Sequence, residues 1–526
     1  MHADLETRAM ADAIAEGVLE CRPWGNAHSP CSDLANANRL KHHFGDHLLY
    51  VDGIGWHTWG PPWKLDELGA RRIAHGLGRL IAEEAAAMAP WVAASKDGAE
   101  RKIREQAMEA RFRFATASEQ ASAVRATLHM AQPMLCCRAD ELDADPDLLG
   151  LPNGVLDLRN WKRREHQQND YITKTAGAEI DFAADAPTWR KFLADIMADD
   201  AELLDYIQRL AGYSLTGHRG EHLLPILFGC GANGKSTFLS TMQALLGDYA
   251  GTAAPSLLIA KGGNEHPTAL ADLQGKRLVV VSETGEAGRL NEEVAKMLTG
   301  GDTITARRMR QDFYQFKPTH LLMLQTNHRP RVAGTDEGIW RRLRLLPFVV
   351  TIPPEMRDAR LVDKLRAELP GVLSWALEGL KKYRANGFNT PASVKAATAD
   401  YRSSSDAIGA FISECCRENP FFTVPASDLY KAYVEWCENS GERPRPQRDF
   451  GMRLSERGFD AEKGTGGKRR WRGIGLADSG TSGGSGGGLG LVHARNISQA
   501  AHTRSTATSA TNATAYRAAK DGEEAA

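Results

Sequence analysis

Residues 223–247 read LLPILFGCGANGKSTFLSTMQALLG, and this stretch decides the class of fold. A short apolar run ends at Phe228, a glycine-rich loop occupies residues 229–236, and a segment with helical spacing follows. The loop fits the pattern GxxxxGK[ST], whose glycines let backbone N–H groups approach phosphate oxygens at the start of a helix. Such a loop needs a strand before it and a helix after it, and both patterns are present. The stretch therefore predicts an α/β fold that holds a nucleoside triphosphate.

Individual loop residues have expected contacts with the nucleotide. Lys235 is expected to reach the β- and γ-phosphates, Ser236 to offer its hydroxyl to Mg²⁺, and Thr237 to cap the start of the helix. We therefore expect ATP and Mg²⁺ as cofactors. The alternative, a chance match in a glycine-rich chain, is disfavoured by the flanking patterns. The predicted nucleotide-binding residues are Gly229, Cys230, Gly231, Ala232, Asn233, Gly234, Lys235, Ser236 and Thr237.

Composition limits the classes of protein to consider. The 526 residues predict two to four domains. A net charge of -1 excludes a polycation, so any nucleic-acid site must be a local patch. The eight cysteines include no CxxC pair, which indicates a reduced cytoplasmic protein. The N-terminus lacks a basic region followed by an apolar core, so neither a signal peptide nor a membrane span is predicted.

Two features near the N-terminus leave alternatives open. Cys21, His28 and Cys31 lie close together, but no second ligand pair at zinc-finger spacing follows, and ordinary thiols with a surface histidine are favoured over zinc. The tryptophans of YVDGIGWHTWGPPW could stack on bases, although a packed minicore beside a small hairpin is favoured. They are Trp56, Trp59 and Trp63.

Patterning divides the chain into four parts. In the first part, helical spacing runs from Leu80 to about Leu149, and Asn153-Gly154 is a turn signal between apolar runs. Near the end of the second part, Pro370 is predicted to open a helix that stops before Gly387. The predicted parts are residues 1–184, a mainly helical domain; 185–388, an ATPase domain; 408–476, a small C-terminal domain; and 477–526, a disordered Gly/Ser/Thr/Ala-rich tail.

Three further groups of residues are typical of nucleotide hydrolysis. Glu283 follows Ser282 after the apolar run Leu278 to Val281 and is the candidate to orient and deprotonate the attacking water, with Glu286 in reserve. Asn327 follows another apolar run and could hold water or the γ-phosphate, although asparagine also suits a turn before proline. Arginine forks bind phosphoryl oxygens, and surface ion pairing is the alternative for each arginine. The arginines are Arg341, Arg342 and Arg344.

Four stretches resemble the successive motifs of superfamily 3 helicases: GCGANGKST, VVVSET, KMLTGGDTITARRMRQDFYQFKPTHLLMLQTNHRP and GIWRRLRLLPF. The closest branch is the phage/plasmid primase-helicase C-terminal family, which is related to the poxvirus primase-helicase. NGVLDLRN and IQRLAGYSLTGH are similar to the segment before the motor in that family, and HFGDHLLYVDGIGWHTW resembles its N-terminal domain. The resemblance covers roughly residues 30–475 and implies an AAA+-like P-loop NTPase core.

The resemblance also implies roles for particular residues. Lys235 and Ser236 would contact phosphate and Mg²⁺, Glu283 would be the Walker B acid and Asn327 sensor 1. Arg341 or Arg342 would be an arginine finger that acts across a subunit interface in a homo-hexamer. The chain has Ser282 where many members have a second acid before the Walker B glutamate, so Mg²⁺ would be held mainly through Ser236 and water.

The segment from Lys296 to Pro318 resembles the family motif whose hairpin projects into the ring channel and grips DNA. Phe313 or Tyr314 is the candidate to stack on a base or wedge the duplex. The hairpin tip is Gln311-Asp312, where some relatives have Lys-His. The predicted phosphate contacts are Arg307, Arg308, Arg310 and Lys317.

The C-terminal domain is predicted to be a winged helix. Its patterns run helix, strand, helix, helix and a strand pair. Residues 443–472 contain ten Lys or Arg and four Asp or Glu, a local charge of +6. A solvated charged face is the alternative, but the basic turn around Trp471 favours DNA binding. The predicted contacts are Lys468, Arg469, Arg470 and Arg472.

These features favour an ATP-dependent ring-forming DNA helicase that acts on single-stranded and forked DNA. It would serve replication of a phage, a plasmid or an integrated element. Asp143, Asp145 and Asp147 lie in a polar turn rather than on a strand, so autonomous primer synthesis is not predicted, and a separate primase partner is possible. The alternatives are a non-translocating ATP-dependent origin-binding or regulatory protein, and the helicase part of a bifunctional primase-helicase.

Overall fold

The computed structural model describes residues 31–259, 267–282, 288–307, 313–332, 336–440, 442, 444–463 and 469–477. Contacts group the chain into two compact units, Met1–Asp406 and Ala407–Ala526. Within the described ranges, no helix is long and apolar enough to cross a bilayer. Several predicted features lie outside the described residues: Cys21, His28, Glu283, Glu286, Arg308, Arg310, Gln311, Asp312, Lys468 and the tail from residue 478 onward.

The helices are α1 (Asp33–Phe44), α2 (Glu67–His75), α3 (Leu77–Ala86), α4 (Ala89–Ala93), α5 (Gly98–Ser118), α6 (Ala121–Ala131), α7 (Pro187–Ile196), α8 (Ala201–Ser214), α9 (Lys235–Leu246), α10 (Pro267–Ala271), α11 (Glu292–Thr299), α12 (Glu337–Trp340), α13 (Leu361–Ala367), α14 (Leu369–Asn386), α15 (Ala392–Ser404), α16 (Ala407–Cys415), α17 (Ala426–Ser440) and α18 (Gln447–Glu456). The strands are β1 (Leu48–Val51), β2 (Gly55–Trp59), β3 (Trp63–Leu65), β4 (Cys136–Cys137), β5 (Leu148–Leu151), β6 (Gly154–Asp157), β7 (Lys162–Arg164), β8 (Leu224–Phe228), β9 (Ala250–Ala253), β10 (Leu278–Ser282), β11 (Ile304–Arg307), β12 (Phe313–Phe316), β13 (Leu321–Thr326), β14 (Leu343–Pro347), β15 (Cys416–Pro425), β16 (Asp460–Lys463) and β17 (Arg469–Leu476).

The N-terminal region combines helices α1 to α6 with a four-stranded sheet of order β3-β2-β1-β4. Trp56 and Trp63 are each 3% exposed, which confirms the packed minicore for these two side chains. The helical pattern predicted up to Leu149 ends earlier, at Ala131. Pro133 follows in a short 3-10 turn and lacks the N–H that a continuing helix needs, and strands β4 and β5 come next.

A five-stranded sheet of order β14-β8-β13-β10-β9 forms the centre of the first unit, and all its neighbouring strands are parallel. Parallel strands are covered on both faces, which explains the continuous apolar runs of β8, β10 and β13. Along β10, Leu278 and Val280 pack into one core, whereas Val279 and Val281 pack into the other. The carboxyl ends of β8, β10 and β13 meet at one edge of this sheet.

Both cores extend into the N-terminal region. One cluster joins Leu149 of β5 to Trp189 of α7. The other joins Val51 of β1 to Tyr314 of β12, and a Cβ added to Gly53 would lie 3.6 Å from the Cβ of Tyr314. Residues on the two sides of the predicted boundary at 184/185 therefore share hydrophobic cores, and the boundary itself stays a prediction.

Two local predictions in the first unit are confirmed. Strands β5 and β6 form an antiparallel hairpin that pairs Leu151 with Gly154, so residues 152–153 form the turn and Gly154 begins β6. Helix α14 has Pro370 in its first turn and ends before Gly387, whose φ of 65° suits glycine.

The second unit has the element order that was predicted for it. Helix α16, strand β15, helices α17 and α18, and strands β16 and β17 follow one another, and the strands form an antiparallel sheet of order β15-β17-β16. Its core contains stacked rings of Tyr433 and Phe450, whose centroids are 4.5 Å apart. Strand β15 begins at Cys416, five residues before the FFTVP segment from which a strand was predicted.

Candidate nucleotide site

The loop of residues 229–236 joins the carboxyl end of β8 to the first residues of α9. The prediction that Thr237 caps this helix is wrong, because the N-cap is Gly234, no side chain caps it, and Thr237 already lies within the first turn. Gly231 and Gly234 have φ values of 76° and 82°, a backbone region that side chains with a Cβ rarely adopt. A Cβ on Gly229 would collide with the carbonyl oxygen of Phe348. Residues with a Cβ would strain the backbone or clash at these positions, so the observed loop conformation requires the glycines that the motif predicted.

The Lys235 ammonium lies inside the loop against three neutral oxygens. Its Nζ donates to Gly229 O at 2.6 Å, to Asn233 Oδ1 at 3.0 Å and to Asn327 Oδ1 at 3.1 Å. The residue is 2% exposed, and burial lowers the pKa of Lys235. The structure thus brings together Lys235 and Asn327, two residues that the sequence placed at the ends of separate strands.

Asn233 has a second contact that the motif did not predict. Its Nδ2 donates to Phe348 O at 3.1 Å, while its Oδ1 accepts from Lys235. The amide therefore ties the lysine to the chain that follows β14. Ile352 N–H also donates to Ala232 O at 2.8 Å, so this segment holds the loop at two points.

Ser236 has a partner that sequence reasoning missed. Gln325 Nε2 donates to Ser236 Oγ at 2.7 Å. In the sheet, Gln325 pairs with Leu227 of β8 on one side and with Ser282 of β10 on the other. Its position two residues before Asn327 was the available signal, because side chains two apart on a strand share a face.

The acid predicted to activate water, Glu283, is not among the described residues. Strand β10 is described up to Ser282, and Glu283 and Glu286 follow it. Their roles stay predictions. Within the described part of the chain, no group of three or more His, Cys, Asp or Glu is placed to ligate a metal ion. At this edge, the Ser236 hydroxyl is a described oxygen of a type that Mg²⁺ accepts, and the Gln325 amide nitrogen donates to it.

The two candidate finger arginines differ in their surroundings. Arg341 is exposed and directly follows α12. Arg342 is 9% exposed, its Nε donates to Thr299 Oγ1 at 3.2 Å, and its Nη1 donates to Gly338 O. Burial lowers the pKa of Arg342. The Arg342 guanidinium bonds to groups of its own chain, whereas Arg341 is exposed. Arg341 is therefore the better candidate to reach a neighbouring subunit.

Arg329 is a further cation near the loop that the sequence analysis did not single out. Its guanidinium carbon lies 5.1 Å from the centroid of the Phe228 ring, at the residue that precedes the loop. Its Nη1 pairs with Asp400 Oδ2 at 2.7 Å. It follows Asn327 by two residues, and within the HRP sequence nothing marked it as different from other surface arginines.

The predicted DNA-binding hairpin is present as the antiparallel pair β11–β12. Phe313 is 58% exposed, and the Arg307 guanidinium lies 5.0 Å from its ring centroid. Tyr314 is 7% exposed and packs in the core. Of the two aromatic alternatives, Phe313 is therefore the one that is accessible, and Lys317, further along the chain, is also exposed.

Three of the four basic residues predicted to bind DNA in the second unit lie on β17, and Lys468 lies outside the described residues. Arg469 and Arg472 are exposed and Arg470 is half-buried. Arg472 Nη1 is 3.3 Å from Glu462 Oε1, so a neighbouring acid partly neutralises it. Trp471 is 6% exposed and belongs to the core of this unit, so it is not accessible to DNA beside the arginines.

Profiles of three protein families match separate stretches of the chain. The family described as D5 N terminal like matches residues 37–198, and Poxvirus D5 protein-like matches residues 403–470. Between them, a family of unknown function (DUF5906) matches residues 227–342. This middle match contains the loop, Asn327 and both candidate finger arginines.

Viral proteins are similar over somewhat more than half of the chain. One is named "Putative helicase L207/L206", from Acanthamoeba polyphaga mimivirus, with 29% identity over 324 residues, 57% of this chain and 34% of that protein. Another is "Putative primase C962R", from African swine fever virus (isolate Warthog/Namibia/Wart80/1980), with 28% identity over 327 residues, 56% of this chain and 34% of that protein. A third is "Putative helicase 022R", from Frog virus 3, with 23% identity, 52% of this chain and 30% of that protein. The chain spans about one third of the length of these relatives.

Among solved structures, the A form apo structure of NrS-1 C terminal region-CTR aligns with a TM-score of 0.41 and 11% identity. The alignment covers 65% of this chain and 85% of that chain. A likeness at this level carries no argument about function.

Proposed function

We propose that this chain, whose D5-like regions relate it to the viral primase-helicases, is an ATP-dependent, ring-forming DNA helicase. It would couple ATP hydrolysis to DNA translocation and unwinding in the replication of a phage, a plasmid or an integrated element. The observation that carries the proposal is the contact of Lys235 with Asn327 beside a glycine-rich loop at the carboxyl edge of a parallel sheet.

The residues at this edge support nucleotide binding in a definite way. Lys235 makes its contacts with neutral oxygens only, and two of these belong to amide side chains that can rotate. Phosphate oxygens would replace those oxygens with charged acceptors, which form stronger hydrogen bonds. The exchange would release the Asn327 carboxamide to bind the γ-phosphate or the attacking water.

Mg²⁺ fits the Ser236 hydroxyl on this edge, because a hydroxyl oxygen is a type of ligand that the ion accepts, and the Gln325 amide nitrogen donates to that oxygen. When bound, the ion would neutralise charge on the phosphates. Ser236 and Glu283 are the proposed ligands, and Gln325 would orient the Ser236 hydroxyl. Glu283 is proposed as the base, and the exposed Arg341 as the group offered to the site of a neighbouring subunit in a homo-hexamer.

DNA contact is proposed for two surfaces, one in each unit. In the first unit, Arg307 and the accessible Phe313 combine a cation with a stacking face, as single-strand binding sites do. In the second unit, whose described elements fit a winged helix, Arg469 and Arg472 on β17 would contact the phosphate backbone.

A second candidate function is the helicase part of a bifunctional primase-helicase. One relative is named a putative primase, and the chain spans about a third of it. A primer-synthesis assay run with this chain alone, and then with a separately supplied primase, would distinguish the two functions. A non-translocating origin-binding ATPase remains the alternative of a different class.

Strand separation on forked DNA is the direct test. The wild-type chain should unwind a fork with a single-stranded tail when ATP and Mg²⁺ are present, and Lys235→Ala and Glu283→Gln should not. Lys364→Ala is the matched control, because Lys364 pairs only with Asp358 on the surface in the described structure. DNA-stimulated ATP hydrolysis without strand separation would contradict the helicase and support the origin-binding alternative.

A further inference from the structure

Helix α15 contacts two segments that flank the candidate nucleotide site. The first is the chain directly after Asn327: Arg329 Nη1 pairs with Asp400 Oδ2 at 2.7 Å, and the Tyr401 hydroxyl donates to Pro330 O. These contacts come from consecutive residues in the last turn of the helix. They fix the path of the chain within three residues of the amide that holds Lys235.

The second segment is α12, the short helix that precedes Arg341. Arg402 Nη2 pairs with Glu337 Oε2 at 2.6 Å, and the rings of Tyr401 and Trp340 are in edge contact with centroids 5.3 Å apart. The backbone N–H of Arg341 donates to Glu337 O at 3.0 Å. Glu337 therefore connects the helix α15 to the backbone of the exposed arginine.

The charged side chains Asp400 and Arg402 lie on opposite sides of the helix, and Tyr401 between them contacts both segments. Each residue of an α-helix turns the side chain by about 100°, so residues 400 and 402 point about 200° apart. Between them, Tyr401 is 1% exposed and packs into the core. Helix α15 is also held along its length, because Thr398 Oγ1 accepts from Leu345 N–H of β14 at 3.0 Å. A helix held in this way has little freedom to move one contact without the other.

We infer that α15 is a strut that sets the distance between Asn327, which serves the chain's own nucleotide, and Arg341, which serves the neighbour's. Asp400 and Arg402 are its positioning residues. The inference rests on the proposed function and adds to it that one helix couples the two halves of the hydrolytic machinery within each chain. A tilt of α15 would therefore shift Asn327 and Arg341 together.

The Arg402–Glu337 pair is well suited to a test. The two side chains are 49% and 69% exposed, and ion pairs with that exposure contribute little to stability. A change in catalysis after the pair is broken would therefore report placement and not unfolding. Lys364 and Asp358 form a control pair of similar exposure, 57% and 39%, away from α15.

The experiment is a charge swap with Arg402→Glu, Glu337→Arg and the double variant. Steady-state hydrolysis gives kcat and KM for ATP, a fluorescent ATP analogue gives the nucleotide Kd, and thermal unfolding gives Tm. We expect each single variant to lower kcat at least fivefold with Kd and Tm nearly unchanged, and the double variant to recover to within twofold of wild type. Lys364→Glu should leave all four quantities unchanged. If a single variant does not fold, Arg402→Gln removes the charge at nearly constant length.

Three results would overturn the strut: an unchanged kcat in the single variants, a Kd that weakens as much as kcat falls, or a double variant that does not recover. The proposed function is tested separately by measuring whether Lys235→Ala abolishes ATP hydrolysis. If wild-type hydrolysis depends on Lys235 and the swap has no effect, the strut alone fails. If wild type shows no hydrolysis that depends on Lys235, the function and the strut that rests on it both fail.

Discussion

A cationic side chain is buried at each of the carboxyl and amino edges of the parallel sheet, but the groups that accept its hydrogen bonds differ. At the carboxyl edge, two of the three acceptors of Lys235 are side-chain amides. At the amino edge, Arg277 precedes β10 and donates to the main-chain carbonyls of Leu148 and Leu215, and Arg219 donates to Arg277 O at 2.9 Å. Amides can rotate and be replaced by a ligand, whereas main-chain carbonyls are fixed by the fold. The difference indicates that one edge is arranged for exchange and the other for stability.

The largest effect should follow from Lys235→Ala. Loss of the ammonium should lower kcat for ATP hydrolysis by about a thousandfold, since it removes charge stabilisation at the phosphates. Tm should stay within a few degrees of wild type, because Asn233 keeps its bond to Phe348 O and the exposed Asn327 side chain can turn to water. Hydrolysis and calorimetry on the same preparation check this, and a collapse of Tm would contradict the separation of the two edges.

Arg277→Leu should show the opposite behaviour. It leaves the buried carbonyls of Leu148 and Leu215 without a donor, which should cost about 3 kcal/mol of the free energy of unfolding. The nucleotide Kd, measured well below Tm, should not change. The control is Arg101→Leu on α5, an exposed i,i+4 pair with Glu105 whose loss should cost less than about 0.5 kcal/mol. Equal effects of the two variants would show that the amino edge is not a special structural site.

His320 should give the amino edge a dependence on pH. Burial, together with the charge of Arg219, lowers the pKa of His320 to about 3. The unfolded chain binds the proton below its ordinary pKa of about 6.5, so stability is complete above that pH and falls as the pH drops towards 3. Between pH 6.5 and 5.0, wild type should lose about 2 kcal/mol more than His320→Phe. Urea unfolding at both pH values measures it, with His75→Phe on α2 as the exposed control.

The smallest effect should be at Gln325, and it sharpens the description of the carboxyl edge. Gln325→Leu removes the donor to Ser236 and should raise the Mg²⁺ concentration for half-maximal nucleotide binding by about tenfold. Gln325→Glu adds a carboxylate oxygen and should lower the Mg²⁺ concentration for half-maximal binding. Magnesium titrations with a fluorescent ATP analogue measure both, with Gln315→Leu on β12 as control. The same Mg²⁺ dependence in all variants would remove Gln325 from the site.

Sequence predicted the parts of the site that follow from strand order and motif. The loop residues and Asn327 could be placed because parallel strands end at a common edge, and the resemblance to the poxvirus-type primase-helicases is confirmed by the D5-like matches. Arg341 and Arg342 could not be told apart, because their difference depends on where α12 ends and which side chain then turns inward. Gln325 was missed because its one signal, a position two residues before Asn327, is not distinctive for a single amide at the end of an apolar strand.

The N-terminal region was the least predictable from sequence. Helical spacing was read through to Leu149, but the packing of short strands β4 and β5 depends on β1 and on residues distant in the chain. The aromatic alternatives at Phe313 and Tyr314 were resolved only by the pairing of β12, since one residue of shift exchanges the buried and exposed faces.

The hydrophobic clusters that cross residue 184 have a practical meaning for dissecting the protein. A chain shortened to begin at residue 185 would lose the side chains of β1 that share a hydrophobic cluster with Tyr314, and those of β5 that share one with Trp189. Apolar surface of that kind promotes association, so the shortened chain should be poorly soluble. The cut that respects the contacts falls after Asp406. The N-terminal region is thus part of the scaffold that carries the β11–β12 hairpin, and the hairpin cannot be studied apart from it.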